Sequence, residues 1–211
     1  MPATRRQLKE SLEPTRTREI GEAALRVVAR RGLEGTTMQE IADEAGLAKG
    51  TLYLYFDGRE DLVVKVAQSA FEELRGAVAA ALAGEGPALG RLEASVRAHV
   101  SFFERRRELF RLFLAVAHPG PDPERSARRA RSCSPLYLEY LGLLTAFLAD
   151  AAARGELAAK RPDRLALFVA EGLSGLVLRR LGEADPPPVE EDVRLVVDAL
   201  ADGLAGRSEP S

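Results

Sequence analysis

The stretch that decides the fold is MQEIADEAGLAKGTLYLYF, residues 38–56. It opens with helical spacing, is interrupted by Gly46 and Gly50, and then gathers Tyr53, Tyr55 and Phe56, three of the chain's twelve aromatics. Thr37 followed three residues later by Glu40 is a capping-box signature, so a helix begins at Met38 with Met38, Ile41, Ala42 and Ala45 on its inner face. Gly46 stops it and supplies the positive φ that a tight turn between two helices demands. A second short helix follows, from about Ala48 to Tyr55. Leu47 and Leu52 plug it back onto the first, with the small Ala42 at the crossing. Leu52 inward leaves Lys49, Gly50 and Tyr53 outward with Thr51 at the edge. These parts, in this order, make a helix-turn-helix. A glycine at position 50 lets a partner's backbone approach closely. Phe56 reads as core, Tyr53 as facing DNA, and Tyr55 as reaching a phosphate with its hydroxyl. The competing reading keeps all three as core aromatics that join this helix to the next.

Outward from this unit, helical periodicity runs almost throughout and no segment sustains strand alternation, so the fold class is all-α. The first helix spans about residues 16–31, where Ile20, Ala23, Ala24, Val27 and Val28 form one buried stripe, and Gly32 ends it. Asp57, Gly58 and Glu60 mark the cap of a long helix reaching about Ala83, and GEGP at 84–87 is the clearest break. Further helices are expected at about 87–104 and 106–117, then a mobile HPGPDPE connection and a short Arg-rich helix near 124–131. A long helix opens at Ser134 and Pro135, since proline in a first turn has no N–H to waste. Two last helices are expected over about 162–181 and 188–205, with GRSEPS frayed at the end.

With 211 residues, 46% of them hydrophobic, the chain has material for a substantial core. No apolar run approaches the roughly 18 uncharged residues of a membrane span, and no apolar stretch follows the basic N-terminus. A protein that stays in the cytoplasm, with no membrane partner, is the expectation. The lone Cys133, with His99 and His118, leaves no internal disulfide and too few ligands for a structural zinc site, so neither metal nor cofactor is expected. The net charge of -2 conceals a basic end: residues 1–31 carry Arg5, Arg6, Lys9, Arg16, Arg18, Arg26, Arg30 and Arg31 against four Glu. That asymmetry suits nucleic acid, although a solvated helix face has the same composition.

Residues 15–66, TRTREIGEAALRVVARRGLEGTTMQEIADEAGLAKGTLYLYFDGREDLVVKV, resemble the DNA-binding domain of the tetracycline-repressor (TetR) family. The resemblance covers about a quarter of the chain. It implies that Thr37 and Thr51 hold phosphates, with Thr36 in the same DNA-contacting set. It further implies that Lys49, Gly50 and Tyr53 face the major groove and that Tyr55 and Arg59 clamp the DNA backbone. Arg59 departs from the family's usual lysine, and Tyr55 stands where histidine is also frequent. Arg5, Arg6 and Lys9 form either an arm in the minor groove or an untethered tail. The implied organisation is a basic arm (1–14), a three-helix helix-turn-helix domain (15–62) and a larger helical domain for effector binding and dimerisation (63–207).

A single helix-turn-helix buries little DNA surface and such modules pair on adjacent half-sites, so a homodimer is expected on double-stranded operator DNA. The last two helices carry the apolar stripes for it. By resemblance they form a four-helix dimer bundle, with Phe168, Gly172, Gly175, Leu176, Val193, Val197, Leu200 and Leu204 at the interface; packing inside one subunit is the alternative. Phe71, Phe102, Phe103, Phe110, Phe113, Tyr137, Tyr140 and Phe147 supply aromatic surface. By resemblance they line a pocket for a small hydrophobic effector, an acyl-CoA or a lipophilic drug-like molecule, with Arg97, His99, Tyr137 or His118 as polar anchors. Core packing is the alternative for these too. The basic clusters Arg105, Arg106, Arg107 and Arg125, Arg128, Arg129, Arg131 suit either an acyl-CoA phosphate or solvent. The implied function is a regulator, by the family's habit a repressor released by its effector. The alternatives are an activator without effector, a helical protein-binding adaptor, or an enzyme. For an enzyme the sequence offers no paired histidines, nucleophile motif or glycine-rich nucleotide loop.

Overall fold

The computed structural model describes residues 14–117 and 123–204. Among these residues the regular elements are helices and no strand occurs: α1 (Pro14–Gly35), α2 (Met38–Glu44), α3 (Lys49–Tyr55), α4 (Arg59–Leu82), α5 (Ala88–Glu104), α6 (Arg107–Ala117), α7 (Pro123–Ala153), α8 (Pro162–Gly182) and α9 (Val189–Leu204). Outside α7 the expected starts and ends fall within about two residues of these bounds, except that the first helix, expected to end near residue 31, is continued to Gly35. Within α1 the helical backbone breaks at Gly32 (φ 72°, ψ 164°), the residue expected to end the first helix. The region around Pro135 differs from expectation. A short Arg-rich helix and a separate helix starting at Pro135 are replaced by one helix, α7, running through that proline. Proline at N1 and proline inside a helix look alike in local sequence; only the continuation of the preceding turn distinguishes them.

The chain divides into two compact units. One comprises residues up to Ala70 together with Glu108–Ser134, and the other comprises Phe71–Arg107 with the residues from Pro135 onward. The expected domain boundary at 62/63 and the division at 70/71 both fall inside α4.

In the first unit, Ile20, Ala24, Val27, Met38, Ile41, Ala42, Leu52, Phe56 and Leu62 form one buried cluster, with Leu47, Tyr55 and Val66 partly buried against it. Each of α1, α2 and α3 gives it one face. The capping box is formed: Thr37 Oγ1 accepts from the Glu40 N–H at 3.2 Å, and the Thr37 N–H donates to Glu40 Oε2 at 3.1 Å. Gly46 (φ 66°) makes the turn, and the Leu47 N–H closes it on Ala42 O at 2.9 Å.

In the second unit α5 packs along both α8 and α9. Leu92, Val96 and Val100 of α5, Ala166, Val169, Leu173 and Val177 of α8, and Val193, Val197 and Leu200 of α9 are buried. Polar ties fix the three helices. Arg97 donates to both carboxylate oxygens of Glu190 at 2.7–3.0 Å. Arg180, 3% exposed, donates to Glu104 at 3.0 Å, to Pro187 O at 2.9 Å and to Asp192.

Among the described residues one segment, Pro135–Ala153, has the length and composition to cross a membrane, at a mean hydropathy of 1.3. Glu139 and Asp150 lie within it. Its buried residues Tyr140, Leu144, Phe147, Leu148 and Ala151 recur on one face, the pattern of a helix lying on a protein core.

Candidate nucleic-acid interface

The unit formed by α2 and α3 places its side chains by simple geometry. Leu52 is fully buried, so the positions of α3 that point the other way are exposed: Lys49, Gly50, Tyr53 at 38% and Leu54 at 41%. Thr51 lies half-buried at the edge. A Cβ built on Gly50 would meet nothing within 4 Å. The fold therefore has no steric need for glycine there. Helix propensity disfavours it by about 1 kcal/mol relative to alanine. Lys49 has no ion-pair partner among the described residues. Leu54 is a contributor that the sequence reading passed over, yet two residues from an inward Leu52 is about 200° around the helix, and that spacing places it outward.

Phe56 is 1% exposed and belongs to the core, as expected. Tyr55 is intermediate, with its ring tilted against Phe56 at 6.4 Å and packed on the buried cluster. Its ring thus serves the fold while part of it remains at the surface.

Three expected DNA contacts are engaged inside the protein. Thr36 is 2% exposed and its hydroxyl donates to Gly32 O at 2.8 Å, so its side chain completes the kink at the end of the first helix and is not presented to DNA. Arg59 is turned inward. Its guanidinium donates to Leu33 O (3.2 Å), Glu34 O (2.9 Å) and Thr36 O (3.3 Å), and pairs with Glu34 and Glu60. Arg59 thus ties the carbonyls at the end of α1 and before α2 to the start of α4. Thr37 also donates its hydroxyl hydrogen to Glu40 Oε2 at 2.9 Å. These hydrogen bonds, with Arg31 nearby, hold the Glu40 carboxyl below the usual carboxylate range.

The basic end is likewise paired within the unit. Arg26 and Arg30 both reach Glu44, at 2.6 and 2.5 Å, and hold its carboxyl low; Arg31 meets Glu40 at 3.2 Å, and Arg16 meets Glu19 at 2.9 Å. These pairs are largely exposed, so they add little stability and are open to exchange with an external anion. Arg5, Arg6 and Lys9 lie outside the described residues.

The interface and pocket expectations divide in the second unit. Phe168 is 70% exposed, Gly172 and Gly175 are exposed with open space at their Cβ positions, and Leu176 is intermediate. Val193, Val197 and Leu200 are buried at 1%, 7% and 6%, so the stripe read as a dimer face is the inner face of α9 against its own subunit. The apolar residue α9 presents outward is Leu195, at 65%. The side chain of Leu204 lies outside the description. Phe102, Phe103, Tyr140 and Phe147 are buried in the second unit, with Phe71 and Tyr137 intermediate. Phe110 and Phe113 are buried residues of the first unit. Tyr137 donates to Glu171, and Arg97 is committed to Glu93 and Glu190. Arg106 pairs with Glu73 and lies 5.1 Å from the Phe102 ring centroid, and Arg107 donates to Arg180 O at 3.0 Å. His118 and the side chains of Arg125, Arg128, Arg129, Arg131 and Cys133 lie outside the described residues.

The profile of the family described as "Bacterial regulatory proteins, tetR family" matches residues 14–66, which end within the first two turns of α4. The N-terminal part of the chain is TetR-like. That match, whose residues include α1, α2 and α3, supports a DNA-binding transcriptional regulator as the role of the chain. The chain is 26% identical over 198 residues to the HTH-type transcriptional regulator BetI of Brucella anthropi, covering 94% of this chain and 98% of that one. With the BetI regulator of Rhizobium meliloti it shares 27% identity over 190 residues, 90% of each chain. The fold is also that of the Bacillus subtilis transcriptional regulator FadR, solved in complex with stearoyl-CoA (TM-score 0.78, 20% identity, 88% of this chain and 98% of that one). The TetR-family regulator PfmR from Thermus thermophilus matches at TM-score 0.70 and 23% identity, over 86% of this chain and 96% of that one.

Proposed function

We propose that this chain is a homodimeric, cytoplasmic repressor of the TetR family that leaves a palindromic operator when a small apolar effector binds. The observation that carries the DNA-reading part is the outer face of α3, where Lys49, Gly50 and Tyr53 stand opposite a fully buried Leu52. A basic side chain, a gap where a backbone or base edge fits, and an amphipathic ring are the groups that direct readout in a major groove uses. Thr51 and Tyr55 flank them as phosphate contacts. Thr37 joins them only by exchanging its Glu40 bond.

The dimer reading is supported by the outer face of α8, where Leu167, Phe168, Gly172, Gly175 and Leu178 follow helical spacing and are exposed, with Leu195 exposed on α9. Apolar exposure of this kind marks an interaction surface. The effector reading rests on the aromatic side chains of the second unit and on the similarity to a FadR structure that holds stearoyl-CoA. Because α4 is one helix from Arg59 to Leu82, it is the natural lever between an effector and the DNA-reading helices.

The test is a mobility-shift titration with the DNA upstream of the chain's own coding region, at several salt concentrations. A sequence-specific shift that weakens with salt is expected, and Lys49→Ala with Tyr53→Ala should lose at least about tenfold in affinity, with the salt slope reduced by about 1. Unchanged binding by a double variant that still folds and dimerises would refute the assigned face.

A further inference from the structure

Among the described residues three buried side-chain nitrogens of the second unit lack a hydrogen-bond partner: Arg91 Nε and Arg107 Nε, whose guanidinium groups bond through their other nitrogens, and His99 Nε2. His99, on α5, is 4% exposed, and its Nδ1 lies 2.8 Å from the hydroxyl oxygen of Tyr140 on α7. Its other ring nitrogen, Nε2, is buried and has no hydrogen-bond partner among the described residues. Phe103 meets the imidazole edge-on at 5.3 Å, and Phe102 stands perpendicular to Phe103 at 5.2 Å. An imidazole nitrogen within such apolar surroundings is expensive to leave unpaired, so its presence needs a reason.

The tautomer follows from counting donors. Burial pushes the His99 pKa down to about 4, so the ring is neutral near pH 7 and carries one N–H. If Nδ1 bore it, the Tyr140 O–H would have no acceptor and Nε2 would be an unused acceptor. If Tyr140 donates to Nδ1, a single group is left over, the N–H on Nε2. The second arrangement leaves fewer buried groups unsatisfied, and it makes Nε2 a buried, unpartnered donor on a ring that packs against Phe103.

We infer that the His99 and Tyr140 pair is the polar anchor of the effector site, and that the effector is an apolar molecule presenting an uncharged acceptor oxygen, a ketone, ester or thioester carbonyl, to His99 Nε2–H. This rests on the proposed reading that the second unit binds an apolar effector, and it narrows that effector's chemistry. Tyr140 acts as a positioning residue: its hydroxyl fixes the tautomer that makes His99 a donor. A carboxylate is disfavoured, because its charge would have to be buried beside a ring that does not protonate readily there.

The test uses the full chain labelled with ¹⁵N-histidine, in which only His99 and His118 report. The probes are acetophenone and α-methylstyrene, which have the same shape and differ in C=O against C=CH2. We expect His99 to show the Nε2–H tautomer in the unliganded protein, its Nε2–H signal to move with acetophenone but not with α-methylstyrene, and acetophenone to bind about three- to tenfold tighter, the range of one net hydrogen bond. His99→Phe should equalise the two probes. Tyr140→Phe, which removes only an oxygen, should do so partly by releasing the tautomer. An Nδ1–H tautomer, or a water signal at Nε2–H that acetophenone leaves in place, would overturn the proposal. Acetophenone binding with an unmoved His99 would overturn the anchor while leaving an apolar effector site standing. Binding of neither probe would remove the anchor together with the reading beneath it.

Discussion

Arg180→Met is the substitution with the largest calculable consequence. Arg180 sits on the inner side of α8 and joins it to α5 through Glu104, to α9 through Asp192, and to the connection before α9 through Pro187 O. Methionine retains most of the aliphatic stem but none of the charge. Asp192 is 8% exposed, so its carboxylate would stay buried with its cation gone. Removing one member of a buried pair in this way costs about 3–5 kcal/mol, mostly from the stranded charge rather than from the attraction lost. With a urea slope of about 2–3 kcal/mol per M, the unfolding midpoint should fall by roughly 1.5 M. The measurement is urea unfolding followed by helical circular dichroism at pH 7 and one fixed protein concentration, because any self-association would make stability concentration-dependent. Adding Asp192→Leu should recover most of the loss, since an apolar pair of similar volume replaces a buried ion pair at little cost. A midpoint for Arg180→Met within about 0.3 M of the parent, or a double variant no better than the single, would show that Asp192 is solvated and the reasoning wrong.

Other outcomes follow from the same placements. Gly50→Ala should stabilise α3 by up to about 1 kcal/mol, because the Cβ meets open space, yet lower operator affinity at least about tenfold; equal affinity would mean that nothing approaches this position. Phe168→Asp should leave the helical content and urea midpoint of the subunit nearly unchanged while shifting sedimentation velocity toward monomer. Val197→Asp, at a position 7% exposed, should unfold the subunit instead, and a folded monomer from it would restore the inner stripe of α9 as a dimer face. For His99 the folded pKa, about 4, lies below the ordinary value of about 6.5, so the unfolded chain binds the extra proton first. Its contribution to stability is full above about pH 6.5 and is lost on going down to about pH 4, a fall of roughly 3 kcal/mol. His99→Phe should flatten that part of the stability profile relative to the parent, and an identical slope in both proteins would contradict the burial argument.

The elements were legible where a residue type has one local use. Gly32, Thr37 with Glu40, Gly46 and Pro162 each sit where a backbone conformation or an unpaired N–H demands them, and the helix bounds around them match the sequence reading. Pro135 was not legible, because a proline satisfies a first turn and is tolerated within a long helix on the same local evidence. Thr36 and Arg59 failed for another reason. A hydroxyl and a guanidinium near a DNA-reading helix look like phosphate ligands, but Thr36 bonds Gly32 O and Arg59 ties the end of α1 to the start of α4, so those two side chains answer the fold's own needs. The stripe on α9 shows the same limit, since periodicity tells that a face is buried and not which surface buries it.

The seven residues of α3 show why its outward face was readable when that of α9 was not. A helix this short is not stable by itself, and α3 has neither a side-chain cap nor an acidic residue in its first turn. Its stability must come from Leu52 and from Phe56 at its end, which are 0% and 1% exposed. The inner requirement is therefore met chiefly by two large apolar residues whose identity is plain, with the Tyr55 ring packed beside them. Lys49 and Gly50 are exposed on α3, and the Cβ position of Gly50 meets open space, so the sequence points outward at those positions. The helices α8 and α9 are long, and both of their faces carry apolar residues: Val169, Leu173 and Val177 inward on α8 against Phe168 and Leu178 outward, Val193 and Val197 inward on α9 against Leu195 outward. When both faces speak the same chemical language, composition alone cannot assign them, and only coordinates tell which valine faces its own subunit.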